Sequence, residues 1–148
     1  MRSLEPVSKP PERHDRRESL MPVPILKQGQ ILIATVRNAL SDSDTELFRE
    51  RLMQRVTEYR AQGIVVDVTA IDVLDSFAAR SLQTIARMTR LRGAHTVIVG
   101  LQPEVAFSMV QLGILFEDMD TALDLEEGLA LLNRRLAARK PMGRDGVR

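Results

Sequence analysis

The chain has 148 residues, 44% hydrophobic and 28% charged, with a formal net charge of +1; this is ordinary globular usage, and enough polypeptide for one domain with a real core. It has no cysteine, which excludes a disulfide framework and any thiolate metal site. No apolar run approaches the roughly 18 residues that span a bilayer, and the N-terminus lacks the apolar stretch of a signal peptide, so a soluble, cytoplasmic protein without membrane attachment is expected.

Residues 1–20 are rich in Pro, Arg, Glu and Ser and offer almost nothing to bury, which predicts a disordered leader. Ordered structure is expected from Met21, itself a candidate initiator of a shorter form. Ile25-Leu26 and Ile31 to Val36, joined around Lys27 to Gln30, read as a β-hairpin. Ser43-Asp44-Thr45-Glu46 reads as a capping box. It opens a helix whose Phe48, Leu52, Val56 and Tyr59 recur at helical spacing, with Gly63 as its stop. Ile64 to Val68 is apolar on both faces apart from Asp67, the mark of a buried parallel strand.

A second helix is expected from about Ser76 to Arg92, burying Ala78, Leu82, Ile85, Ala86 and Thr89. Thr96 to Val99 forms the next strand. Pro103 suits the first position of a third helix, which closes at Gly113. Ile114-Leu115-Phe116 reads as a short final strand or extended segment. A last helix runs from Asp120 or Asp124 to Ala138, with Leu125, Leu129, Leu132 and Leu136 inward, and residues 139–148 form a basic tail. The order is that of an α/β domain: a small mixed sheet with a mainly parallel centre, flanked by four or so helices.

Charge is unevenly spread. Residues 1–20 carry five positive and four negative side chains, and residues 137–148 carry four positive and one negative, leaving about −3 on residues 21–136. A nucleic-acid binder needs a basic folded face, usually with stacking aromatics; aromatics here are 3%, so nucleic acid is not an expected partner.

The most informative segment is Ile64 to Arg80, where a strand runs through an acidic turn and delivers Ser76 to the mouth of a helix. The plain reading makes Asp75 the helix N-cap. The functional reading adds phosphate at Ser76: a helix N-terminus favours an anion, and phosphoserine brings roughly −1.5 to −2 charge beside Asp72 and Asp75. A partner docked on that turn meets a changed field while the domain stays folded.

Asp67, mid-strand, needs a hydrogen-bond partner if buried, with the turn amides near residues 69–75 as candidates, and structural support of the site is its expected role. Asp67, Asp72 and Asp75 could also be imagined around Mg²⁺, although nothing in their spacing dictates it. Arg80, Arg87 and Arg90 share part of one helix face with Thr84, as a solvated face or as the rim of a protein-binding surface. With histidines only at His14 and His95, no Ser-His-acid constellation or metal centre is legible, and Gly100-Leu-Gln-Pro-Glu104 lacks the spacing of a phosphate loop. No cofactor is expected.

Asp67-Val-Thr69, Ile71 to Ser76, and Gly100 to Val105 resemble a STAS domain, the fold of anti-sigma-factor antagonists. Within that family Asp75-Ser76-Phe77, Val23 to Lys27 and Thr121 to Glu126 are similar to the RsbS-type proteins of the bacterial stressosome, and the resemblance spans about residues 22–136. It implies a single STAS domain over residues 21–138 and a non-enzymatic scaffold protein. That protein would self-associate with RsbR-type co-antagonists, sequester an RsbT-type serine kinase, release it on phosphorylation of Ser76, and be reset by an RsbX-type phosphatase. Asp72, Asp75, Ser76, Phe77 and Arg80 are then the partner-binding residues. Where related scaffold chains offer a second hydroxyl, this chain has Val99, so one phosphosite is carried over. An alternative is a stand-alone antagonist binding an anti-sigma kinase one-to-one. A hydrolase using Ser76 is disfavoured because no neighbouring base activates the serine.

Overall fold

The computed structural model describes residues 23–114 and 117–139. The leader, Met21, Leu115, Phe116 and the tail beyond Arg139 fall outside this range. Five strands, β1 (Ile25–Gln28), β2 (Ile31–Thr35), β3 (Gly63–Asp67), β4 (His95–Val99) and β5 (Met119–Ala122), form one sheet in sequence order. β1 pairs antiparallel with β2, and every later pair is parallel. The helices are α1 (Asp42–Tyr59), α2 (Ser76–Leu91), α3 (Pro103–Gln111) and α4 (Leu125–Arg139).

Each parallel step moves to the next strand in the same direction, and crossovers of one hand taken in one direction put their helices on one face. α1 and α2 accordingly share a core with Leu32, Ala34, Ile64, Val66 and Ile98. The opposite face, presenting Ile31, Ile33, Val65, Val97 and Val99, is left for α4, the one helix that follows the last strand. Leu132 is its fully buried anchor, a burial contributing about 1.5–3 kcal/mol. Gly63 leaves room for Leu132, since a Cβ there would stand 3.1 Å from Leu132 Cδ1, and Gly128 lets α4 settle directly on Val99.

Several boundaries differ from the sequence expectation. Ser41, not Ser43, caps α1: its hydroxyl accepts from the Asp44 amide at 3.0 Å, and the Asp44 carboxylate accepts from the Ser41 amide at 3.4 Å. Two overlapping Ser-x-x-acid registers compete, and in the earlier one the buried Thr45 also donates its hydroxyl to Ser41 O at 2.9 Å. The helix stops at Arg60 in the left-handed region, with the Ala61 amide donating to Val56 O. Gly63 is instead the first residue of β3, where Leu132 needs the space. The final strand is Met119–Ala122. Ile114 is buried with Ala79, Val105 and Met109 beside α3, outside the sheet. The expected α2 core residues are all buried, and the Thr89 and Thr96 hydroxyls satisfy one another at 2.9 Å. Among the described residues no helix is long and apolar enough to cross a membrane.

The C-terminal ends of the parallel strands are tied to each other. The Val68 amide donates to Val99 O at 3.0 Å, and the Gly100 amide to Ala122 O at 3.2 Å. Gly100 has φ +77°, and a Cβ there would fall onto the Thr69 hydroxyl and within 2.9 Å of Thr69 Cα. Gly100→Ala is therefore expected to lose about 2–4 kcal/mol of stability from left-handed strain plus a clash with backbone, read from the urea midpoint.

At the other end, His95 opens β4. Burial lowers its pKa, as do Arg90, Arg135 and Arg139, with Asp120 opposing them. Below the ordinary imidazole value of about 6.5 the unfolded chain then takes up a proton that the folded chain refuses, so stability falls as pH drops towards the folded pKa. Urea midpoints measured from about pH 7.5 to pH 5.5, spanning the ordinary imidazole value, should fall less in His95→Gln than in the parent chain.

Candidate functional site

The turn from Val68 to Asp75 is built on a carboxylate. Asp67, last in β3, accepts from the Thr69 amide at 2.9 Å and from the Thr69 hydroxyl at 2.6 Å. The Thr69 carbonyl in turn accepts from Gln102 Nε2 at 3.1 Å, which joins the turn to the start of α3. Asp67 thus finds its hydrogen-bond partners at residue 69 of the turn. Thr69 and Gln102, which sequence reading did not single out, complete that support; the signal was a hydroxyl two residues after a strand-terminal Asp.

Beyond Thr69 the turn alternates between anchors and exposed groups. Ile71 is buried and Leu74 packs between the α1/α2 and α3 clusters. Asp72, Val73, Asp75, Ser76 and Phe77 face solvent, with Val73 68% and Phe77 36% exposed. Asp75 has extended backbone and caps α2, its carboxylate accepting from the Ala78 amide at 2.8 Å. The plain reading of Asp75 is therefore correct. It leaves Ser76 as the first helical residue.

No hydrogen bond joins the Ser76 hydroxyl, or the Ser76 and Phe77 amides, to another described residue. The α2 first turn contains no acidic side chain. Such an N-terminus retains unmet donors and positive dipole character, suited to an anion on Ser76.

Arg80 lies one helical turn beyond Ser76, and its Nη2 donates to Leu112 O at 3.2 Å, clasping α2 to the end of α3. Arg87 pairs with Asp118 at 2.9 Å. These two arginines of the supposed rim therefore hold neighbouring segments in position. Asp67, Asp72 and Asp75 are not brought together: among the described residues no three acidic or histidine side chains form a metal-holding group. His95 opens β4 opposite Gly63, at the other end of the strands from Ser76. Val99 is fully buried beneath Gly128.

Beside the turn, between α1 and α2, is a cavity of about 90 Å³ lined chiefly by Val36, Phe48, Val68, Ile71, Leu74 and Leu82. Its size suits a single aliphatic group, and its lining gives water few hydrogen-bond partners.

A five-strand mixed sheet with this connectivity, and with Asp-Ser at the mouth of α2, agrees with the family comparison, in which residues 23–128 match the STAS domain. The chain belongs to the STAS domain family. The RsbT co-antagonist protein RsbRA of Bacillus subtilis (strain 168) is 31% identical over 98 residues, 64% of this chain and 36% of that protein. This chain therefore spans little more than a third of that relative's length. Among solved structures, a Moorella thermoacetica RsbS bearing a serine-to-glutamate change is 33% identical with a TM-score of 0.71, over 78% of this chain and 97% of that one. A chain from the molecular architecture of the stressosome, described as a signal integration and transduction hub, is 32% identical with a TM-score of 0.64, over 78% and 99%. The resemblance to RsbS-type STAS proteins thus extends across most of the described domain.

Replacing Asp75 with Ala removes the α2 cap and should lower stability by about 1 kcal/mol, measured by chemical denaturation.

Proposed function

We propose that this STAS protein is a non-enzymatic component of a stressosome-type scaffold, and that it holds an RsbT-type serine kinase until that kinase phosphorylates Ser76. The observation that carries the reading is the Ser76 hydroxyl itself: exposed, without a hydrogen bond to any described residue, and flanked by the exposed apolar side chains of Val73 and Phe77. Apolar groups beside a modifiable hydroxyl suit a docking surface. Asp72 and Asp75 border the same surface.

In the transfer, Ser76 Oγ bonds to the γ-phosphorus of ATP, the bond to the bridging oxygen breaks, ADP leaves, and the hydroxyl proton passes to a base of the kinase. The product adds roughly −1.5 to −2 charge next to two carboxylates. The open amides of α2 moderate the cost within the domain, whereas a docked acidic or apolar surface has no such compensation. Docking is thus weakened more than folding. The RsbR-type co-antagonist is the expected scaffold partner, and an RsbX-type phosphatase the expected means of resetting the site. Asp67, Thr69 and Gln102 act here only by holding the turn.

Incubation with an RsbT-type kinase and ATP should add one phosphoryl group by intact mass and weaken kinase binding at least about tenfold, or about 1.4 kcal/mol. Ser76→Ala should bind the kinase without being labelled, and persistent labelling of that variant would reject the assignment. Particle size with an RsbR-type partner separates a large scaffold from the one-to-one antagonist.

A further inference from the structure

The end of the domain opposite Ser76 has a different chemistry. α1 finishes at Tyr59, α2 at Leu91 and α4 at Arg139, and beside these three ends lies a pocket of about 380 Å³. It is lined by Thr57, Arg60, Gln62, Arg92, Gly93 and Arg139 together with Val56 and Ala61. None of these residues is acidic; the neighbouring groove, which Thr57 and Arg92 also line, carries Glu46, Glu50 and Glu58.

Arginines at helix C-termini have an ordinary explanation, since they offset the dipole and bind terminal carbonyls. Arg139 Nη1 donates to Gly93 O at 2.9 Å, and Arg92 Nη1 donates to Thr57 Oγ1 at 2.5 Å. That account is incomplete in two respects. Three helix ends bring about −1.5 of partial charge against three full guanidinium charges, so the pocket keeps a positive excess. Each of those contacts also uses one of a guanidinium's five N–H donors.

Arg60 has neither contact. Its guanidinium makes no hydrogen bond or ion pair with another described residue. It is also the one described non-glycine residue with positive φ, at φ 51° and ψ 47°, a conformation glycine adopts without strain. The cap needs the backbone, not an arginine side chain. Nearby, the His95 amide donates to Gln62 O at 3.0 Å, and the His95 pKa is lowered first by burial and then by Arg90, Arg135 and Arg139, of which Arg139 lines the pocket. Asp120, the opposing carboxylate, is paired with Arg135 at 2.9 Å.

We propose that this pocket binds a small, multiply charged oxyanion of the phosphate or polyphosphate class, held by Arg60, Arg92 and Arg139, with Thr57 and Gln62 as neutral donors. Guanidinium forks recognise such oxyanions bidentately. The site is separate from Ser76 and independent of the kinase reading.

The test is calorimetric titration of the full chain with sodium pyrophosphate at low ionic strength. Saturable one-to-one binding is expected. Arg60→Gly, which relieves the backbone, should remain folded with an undiminished urea midpoint yet bind at least about tenfold more weakly. Arg134→Gln removes the same charge from an exposed α4 position outside the pocket, and should stay within about twofold of the parent, a free-energy difference under about 0.5 kcal/mol. Bound pyrophosphate should also raise the His95 pKa, followed by NMR of the imidazole ring. The proposal is overturned if no saturation occurs, if Arg60→Gly binds like the parent, or if Arg134→Gln weakens binding as much as Arg60→Gly.

Discussion

Asp67 ends a fully hydrogen-bonded central strand, and its carboxylate turns the chain by accepting both donors of Thr69. The next strand can pass close by because residue 100 has no Cβ to occupy the space of Thr69. From that small clasp the positions of Ile71, Leu74, Asp75 and Ser76 follow, since Ile71 and Leu74 dock into two separate clusters and bring Asp75 to the α2 cap. A charged acceptor holding two donors in a tight turn is a stronger constraint than neutral hydrogen bonds alone. The exposed serine sits above this anchored turn.

The proposed switch would act through a partner docked on the outer side of this turn. The buried side of the turn supplies packing, while Val73, Phe77 and the Ser76 hydroxyl remain outside it. Arg80 and Arg87, both exposed, also make tertiary contacts. Their guanidinium groups bond to Leu112 O and Asp118, fastening α2 to segments that flank α3. The site surface is thus mainly acidic and apolar, with Arg80 donating one guanidinium N–H to Leu112 O.

The two ends of the sheet carry opposite electrostatic character. Carboxylates and a helix N-terminus gather where the strands finish, whereas arginines and helix C-termini gather where they begin. A parallel sheet whose helices return on the same path produces this division of dipoles automatically. The side chains then determine which end can accept an anion: one by covalent attachment in the kinase reading, the other by guanidinium contacts in the pocket.

Patterns internal to one segment are legible in the amino-acid sequence alone. The valine-rich β3, the Asp-Ser turn, the α2 stripe and the proline-led α3 are local signals, and Asp67 to Thr69, Ile71 to Ser76 and Gly100 to Val105 carry the STAS resemblance. The elements that linear pattern misplaces depend on distant partners. The place of Gly63 rests on Leu132 from the far end of the chain, and β5 on pairing with β4, because Met119 to Ala122 has too little apolar alternation to declare itself. The linear sequence determined the elements up to α3, the last helix and which hydroxyl reaches the helix mouth, since periodicity and turn chemistry act over a few residues. Only tertiary structure decided that Thr69 and Gln102 hold the turn, that Arg80 is a clasp, and that arginines from three helices meet at one pocket, because those arrangements require residues more than thirty positions apart to become neighbours.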